Sequence, residues 1–487
     1  MSESLPPPIG ANRIEDDDDA SATGGAPSPG GLSTRTRVVG AVVALALAIT
    51  AGVVAVRVIG GNEGGGDSDV GRWNAIAIRD DETITIVDEA GEELDTIEAA
   101  VGIGATEVSG RFLLASGDGE MLFVDTASGD TTAVEVSDEF DTARFLAPGS
   151  STFALGSNNG GALRIVDPIA DADVDITTLS GWPSDTLILP QAARIDSDNE
   201  VVGVDDLVAQ QAVFFEIGED PEPHLVDGRL IDLRHGAALG LEPEEGRAEL
   251  TFYDSAGEAT GSVKMAPPVG AVLTSDDTAL VVDREGTLVE LTAGNDEPRT
   301  IAELDLEPSS AVFATASDRI VLAVPGAEGD DDEVVVVDYD GVEILSESGT
   351  IAHYTGISVD SLACVVIGTP ADGDDTAIGS SNAVLYDLDS GDELASGEIR
   401  FQRLSTASQD GCTVLAATAD GALALTRDGT TTLDGEPAAV APDGSAFVLR
   451  DGSELTLVVA EGGEGEGGEG DEVVELPGTG APAFIER

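Results

Sequence analysis

From Trp73 onward, short runs of β-branched and aliphatic residues alternate with clusters of Gly, Asp, Ser and Pro. That alternation marks an all-β region, and no stretch in it sustains a helical period. One unit recurs: an apolar run ends in Asp, a few small or polar residues with Gly follow, and a second extended run begins. Copies are Ile86-Val87-Asp88-Glu89-Ala90-Gly91, Phe123-Val124-Asp125 to Gly129, Phe252-Tyr253-Asp254-Ser255-Ala256-Gly257, Val336-Val337-Asp338-Tyr339-Asp340-Gly341 and Leu385-Tyr386-Asp387 to Gly391. Ile165-Val166-Asp167-Pro168 is a variant, and weaker copies lie at Val213 to Gly218 and Leu288 to Gly294. The spacing predicts a hairpin whose turn is held by the Asp side chain, with Gly in the left-handed position.

A second unit, a polar turn leading into a short apolar strand, precedes the hairpin at Ser275 to Val282, Gln409 to Ala416 and Pro442 to Leu449. Together the two units span about 35 to 50 residues and four strands, the size of a propeller blade. Asp88, Asp125 and Asp167 step by about 40 residues. Counting every copy gives about ten units. The fold class predicted is an all-β, large β-propeller of eight to ten four-stranded blades over residues 73–487. A β-solenoid or two stacked sheets are the alternatives. Acidic, glycine-rich insertions at Gly326 to Asp332, Ala371 to Ser381 and Glu461 to Asp471 read as projecting loops. The first unit, Asn74 to Glu98, lacks an innermost strand, and Ala481 to Arg487 supplies a spare one. The C-terminus is therefore expected to complete the first blade, against the alternative of a frayed tail.

These repeats resemble bacterial propellers of the pyrroloquinoline-quinone-like and WD40-like, or YVTN-type, repeat families. The resemblance spans residues 73–487. It implies a membrane-anchored binding or scaffolding module of the cell envelope.

The chain before the repeats differs in kind. Val38 to Val56 is nineteen residues without a charge, flanked by Arg35, Arg37 and Arg57. As a helix it would extend about 28 Å, close to the hydrocarbon thickness of a bilayer. Residues 35–59 are therefore read as a transmembrane helix with a basic flank, the lipid bilayer being the partner of Val38–Val56. A cleaved secretory signal, using small residues such as Ala48 or Ala51, and a buried core helix are the alternatives. Two arginines before the segment against one after it place the N-terminus in the cytoplasm and the repeat region outside. Residues 1–34, with Pro6-Pro7-Pro8 and the run Asp16 to Asp19, read as a disordered cytoplasmic tail, and residues 60–72 as a flexible acidic linker.

Charge narrows the partners. The chain carries 94 acidic residues against 22 basic ones, a single lysine (Lys264) among them, for a net charge of −72. Such a field repels nucleic acid. A protein or small-molecule ligand and a monomeric chain are expected.

Candidate chemistry is sparse. His224, His235 and His353 are too scattered for a metal cage, and no G-x-S-x-G elbow is present. Asp171, Asp173 and Asp175 alternate, and Asp196, Asp198 and Asn199 cluster, but the Gly and distal Glu of an EF-hand loop are missing, so solvated loops are expected. No catalytic residue, cofactor or metal is assigned. Cys364 and Cys412 each open the second strand of consecutive units, so a disulfide stapling two blades is expected outside the cytoplasm and free thiols inside it. A propeller enzyme of glycosidase or lactonase type, using channel carboxylates or calcium, is the alternative to a binding platform.

Overall fold

The computed structural model describes residues 73–487 apart from 81–82, 99–106, 117–119, 137–139, 141, 158–159, 184–185, 187, 197–200, 207, 209, 219, 296, 327–331, 352–353, 356–358, 371–379, 401–404 and 460–471. The tail, the Val38–Val56 segment and the linker thus lie outside the described residues, as do His353, Asp198 and Asn199. Among the described residues no helix is long and apolar enough to cross a membrane.

The strands form ten sheets, each a small antiparallel meander, and the sheets follow one another as the blades of a propeller. Blade 5 is representative, with strands Arg229–Arg234, Ala237–Glu244, Arg247–Tyr253 and Ala259–Met265 running from the channel outward. Middle strands are covered on both faces by neighbouring blades, which is why they read as continuous apolar runs. Every residue of Val201–Asp206 is buried, and so are the four valines of Glu333–Asp338. Outermost strands such as Glu93–Glu98 are almost wholly exposed and polar. The acidic side chains there protect free sheet edges from pairing with another chain.

Hydrophobic packing runs around the ring. Blades 5 and 6 share a core that includes Leu239, Phe252, Val263 and Val281; blades 6 and 7 share Val282, Leu288, Ile320 and Leu322. Each of the other neighbouring pairs has a corresponding apolar interface, including blades 10 and 1, where Val448 and Leu457 meet Ile76 and Ile78. With few aromatics the interfaces are mostly aliphatic. The exception lies between blades 2 and 3, which gathers Phe112, Phe123, Phe140, Phe145 and Phe153.

The hairpin motif does what its residues predict. In blade 1, Asp88 Oδ1 accepts hydrogen bonds from the N–H groups of Ala90 and Glu92 at 2.9 and 2.8 Å, and Gly91 takes φ +76°. Asp254 and Asp338 repeat the pattern between the third and fourth strands of blades 5 and 7. The weaker copies at Val213 to Gly218 and Leu288 to Gly294 occupy the same position in blades 4 and 6.

Closure comes from the C-terminus. Ala481–Ile485 pairs antiparallel with Ala75–Arg79, from Ala75 opposite Ile485 to Arg79 opposite Ala481, and supplies the innermost strand of blade 1. The approach is close at Gly480: a Cβ there would lie 1.3 Å from the Arg79 carbonyl oxygen, so only glycine fits. Beyond the strand, Asn74 Nδ2 donates to the Arg487 carbonyl at 2.9 Å and Arg487 N–H donates to Asn74 Oδ1 at 2.7 Å.

One blade departs from the four-strand expectation. Blade 9 has five strands, because Tyr354–Thr355, from the connection between the first two strands of blade 8, pairs in parallel with Ser405–Ala407.

Candidate functional site

The end of the channel formed by the turns between first and second strands holds most of the buried polar chemistry. There, hydrogen bonds link each blade's turn to a neighbour's. Ser109 Oγ donates to the Ala147 carbonyl (2.7 Å, blades 2 and 3), and Gly236 N–H donates to Asp196 Oδ2 (2.8 Å, blades 5 and 4). Leu273 N–H donates to Asp232 Oδ2 (2.7 Å, blades 6 and 5) and Ser317 Oγ to the Leu362 carbonyl (3.1 Å, blades 7 and 8). Ser361 Oγ then reaches the Gln409 carbonyl (3.0 Å), Gln409 N–H the Pro442 carbonyl (2.8 Å), and Trp73 Nε1 the Ser445 hydroxyl (2.9 Å). Such cross-blade bonds make the rim a stiff frame on which loops are held at fixed positions.

One side chain links three blades: Arg234, the last residue of the first strand of blade 5. Its Nε donates to Asp232 Oδ2 at 3.0 Å, one terminal nitrogen reaches Thr315 Oγ1 of blade 7 at 3.3 Å, and the other pairs with Asp360 in the blade 8 connection. Asp360 is buried and Arg234 nearly so, at 4% and 13% side-chain exposure, so the pair sits in low dielectric; removal of Arg234 would take the charge partner from buried Asp360, whereas removal of Asp360 would leave the guanidinium with Asp232. A second pair, half-buried Arg194 and buried Asp205 at 2.5 Å, joins the first two strands of blade 4. Arg194 also donates to the Ile231 carbonyl, and Asp205 accepts from Leu230 N–H, so this pair clamps the inner edge of blade 5.

These contacts reveal an uneven distribution of cations. Arg144, Arg194, Arg229 and Arg234 all lie on the innermost strands of three consecutive blades, 3 to 5, in a chain with 22 basic residues in total. Their grouping could have been found in the sequence only once each strand had been assigned its radial position. Sequence reasoning did not single out any of the four.

The residues that it did single out fall into separate places. Cys364 and Cys412 are joined by a disulfide with Cα atoms 4.9 Å apart, connecting the start of the second strand of blade 8 to the turn that leads into the second strand of blade 9. Arg427, in the outer turn of blade 9, places Nη2 2.9 Å from Cys412 Sγ and Nη1 2.7 Å from Asp387 Oδ2. Burial works to raise the Asp387 pKa, yet the hydrogen bond from Ser390 N–H and the Arg427 guanidinium outweigh it and hold the carboxyl below its ordinary value. Beside it, burial pushes the Tyr386 phenol up to about 12, helped by the charges of Glu347 and Glu393.

Of the aspartates expected in solvated loops, Asp171, Asp173 and Asp175 are solvent-exposed, two of them on a strand, whereas Asp196 is buried. Asp173 and Asp175 belong to the strand Ala172–Asp175. Asp173 pairs with Arg164, and Asp175 caps the short helix Ile176–Ser180 by accepting from Thr178 N–H at 2.7 Å. Asp171 stands in the preceding turn at φ +55°. Asp196 is buried, because the blade 5 turn needs an acceptor for Gly236 N–H. His224 lies on an outer strand of blade 4 with its ring 5.2 Å from Phe214, and His235 lies in the blade 5 turn at φ +54°. Among the described residues no group of three or more His, Cys, Asp or Glu is arranged to hold a metal ion.

No protein-family model and no curated protein matches the chain. Among solved structures it is similar to a eukaryotic initiation factor, at 13% identity over 74% of this chain and 96% of that one, with a TM-score of 0.49. It is also similar to the dihydro-heme d1 dehydrogenase NirN in complex with DHE, at 15% identity over 70% and 78% of the two chains and a TM-score of 0.40. BamB from Moraxella catarrhalis is similar at 11% identity over 63% and 90%, with a TM-score of 0.34. At those identities and scores none of these bears on function, and the propeller architecture rests on the strand pairing itself.

Proposed function

We propose that this chain is a single-pass membrane protein that displays its ten-bladed ring outside the cytoplasm as a platform for binding a protein or small ligand. The observation that carries the reading is the disulfide between blades 8 and 9, since such bonds persist in oxidising compartments and are rare in the cytosol. The uncharged run Val38–Val56 and its arginine flanks supply the anchor in this reading. A rim whose carboxylates are already engaged, Asp196 and Asp232 by neighbouring blades and Asp360 by Arg234 of blade 5, favours a rigid display surface over an enzyme that uses free channel carboxylates.

Protease treatment of intact cells tests the placement, paired with a thiol count on the unreduced protein. Digestion of the repeat region from outside, with no reactive thiol, is the expected result. Protection of that region in intact cells but not in lysed ones would overturn the external placement. Two reactive thiols would remove the observation that supports it.

A further inference from the structure

The two sulfurs of the bridge stand in unlike surroundings. Cys364 is fully buried in an apolar cluster with Val366, Ala383 and Leu385. Cys412 belongs to the same cluster, but its Sγ also receives Arg427 Nη2 at 2.9 Å. The charged groups facing Cys412 are Arg427 from the outer turn of blade 9, Asp387 from the end of the third strand of blade 8, and Asp410 from its own turn. Asp387 is satisfied by the other guanidinium nitrogen, and Asp410 Oδ1 accepts from Ser408 Oγ and from Cys412 N–H. The only cation among them is therefore aimed at the sulfur of Cys412.

A cation in contact with sulfur favours thiolate over thiol, and the thiolate is the attacking species in disulfide exchange. We propose that Arg427 makes Cys412 the sulfur that attacks first when the bridge is formed by exchange with a small-molecule disulfide, the mixed disulfide being carried on Cys412. In the first step the Cys412 thiolate attacks the oxidant RSSR, forming Cys412–S–SR and releasing one RS⁻. In the second the Cys364 thiolate attacks the Cys412 sulfur. The Cys364–Cys412 bond forms, the bond to SR breaks, and a second RS⁻ leaves with the electron pair and is protonated by water. Two protein thiols are oxidised and one RSSR is reduced to two RSH. Because Arg427 sits in the turn between Ala422–Thr426 and Gly429–Leu433, that hairpin must be formed before the first step is favoured. The bridge is thereby a late event, sealing blades 8 and 9 after blade 9 has folded.

The test uses the full chain with one cysteine replaced at a time, following thiolate absorbance against pH. Cys412 in C364S should titrate about one unit or more below Cys364 in C412S. R427Q should raise the Cys412 midpoint by a similar amount, and R427K should keep part of the depression. D387N should lower it further, because the guanidinium is then no longer shared, although this change weakens the fold. Opposite shifts from R427Q and D387N separate a directed electrostatic role from a general loss of structure. Equal midpoints for the two cysteines, or shifts of one sign from both variants, overturn the proposal. Should the single-cysteine chains not fold, the reduced wild-type chain is reoxidised with glutathione disulfide and quenched in acid. At least tenfold more adduct on Cys412 than on Cys364 is expected, and an equal split or an excess on Cys364 overturns the proposal.

Discussion

The indole of Trp73 stands edge-on to the ring of Phe484, centroids 4.8 Å apart, at the seam where the last strand of the chain enters the first sheet. The two residues are among the earliest and latest that the structure describes. Their contact sits in the apolar interface of blades 10 and 1, alongside Ile76, Val448 and Leu457. The seam is thus held by packing as well as by the backbone ladder.

Phe484→Ala should cost about 3–5 kcal/mol, the usual penalty for removing a buried phenyl group. Gly480→Ala should be worse than its size suggests, because the added methyl meets the Arg79 carbonyl. Urea unfolding followed by Trp fluorescence measures both. A midpoint unchanged in either variant would mean that the seam contributes nothing to stability.

Breaking the buried pair at the channel mouth should be costly. Arg234→Met alone should destabilise by about 3–5 kcal/mol, since it leaves the Asp360 charge buried without its partner, and Asp360→Asn should cost less because Arg234 keeps Asp232. The double change to Met and Leu should recover much of that loss. A double-mutant cycle by denaturant unfolding checks the coupling. Additive losses would show that the two side chains do not depend on one another.

Acid should weaken the blade 8 to blade 9 contact through Asp387. Its folded pKa lies below the unfolded value of about 3.9, so its stabilisation is complete above that value and is lost as pH falls through the folded pKa. With Arg427 half exposed, Asp387→Asn should cost about 1 kcal/mol at neutral pH. The wild type and the variant should converge in stability once the pH falls below the folded pKa. Thermal melts across that range provide the measurement, and a difference that persists in acid would contradict the assignment.

Alkali acts in the opposite sense at Tyr386. The folded pKa, about 12, lies above the unfolded value of about 10, so burial of the neutral phenol stabilises the fold below pH 10 and is lost between those values. Burial raises the Tyr253 phenol as well, so tyrosinate absorbance of the folded protein should show a late step to which Tyr386 contributes, and Tyr386→Phe should reduce its amplitude. An unchanged amplitude in the variant would place the late-titrating phenol elsewhere.

Much of this architecture was legible in the residues because it is built from local chemistry. Asp88, Asp254 and Asp338 announce their turns through side-chain acceptors a few positions from the donors they serve. The spare strand at the C-terminus was visible because the first unit is one strand short. The disulfide partners were suggested by their matching positions in consecutive repeats. Arg234 and Asp360 were not legible, since 126 residues separate them and only the curvature of the ring brings them together. Tyr354–Thr355 escaped for a similar reason: a two-residue strand has no period to detect, and its partner belongs to the next blade. Asp196 looked like one more carboxylate in an acidic chain. Its burial follows from a donor on a different blade.

The arrangement of the first sheet has a mechanical consequence. Ala75–Arg79 lies between Thr83–Val87 on one side and Ala481–Ile485 on the other, with the chain arriving directly through Trp73 and Asn74. A pull transmitted from the N-terminal direction runs along that strand and loads both flanking ladders in shear, so their bonds share the force instead of opening one after another. A protein built this way can be tugged at its leading end without the ring beginning to unzip there.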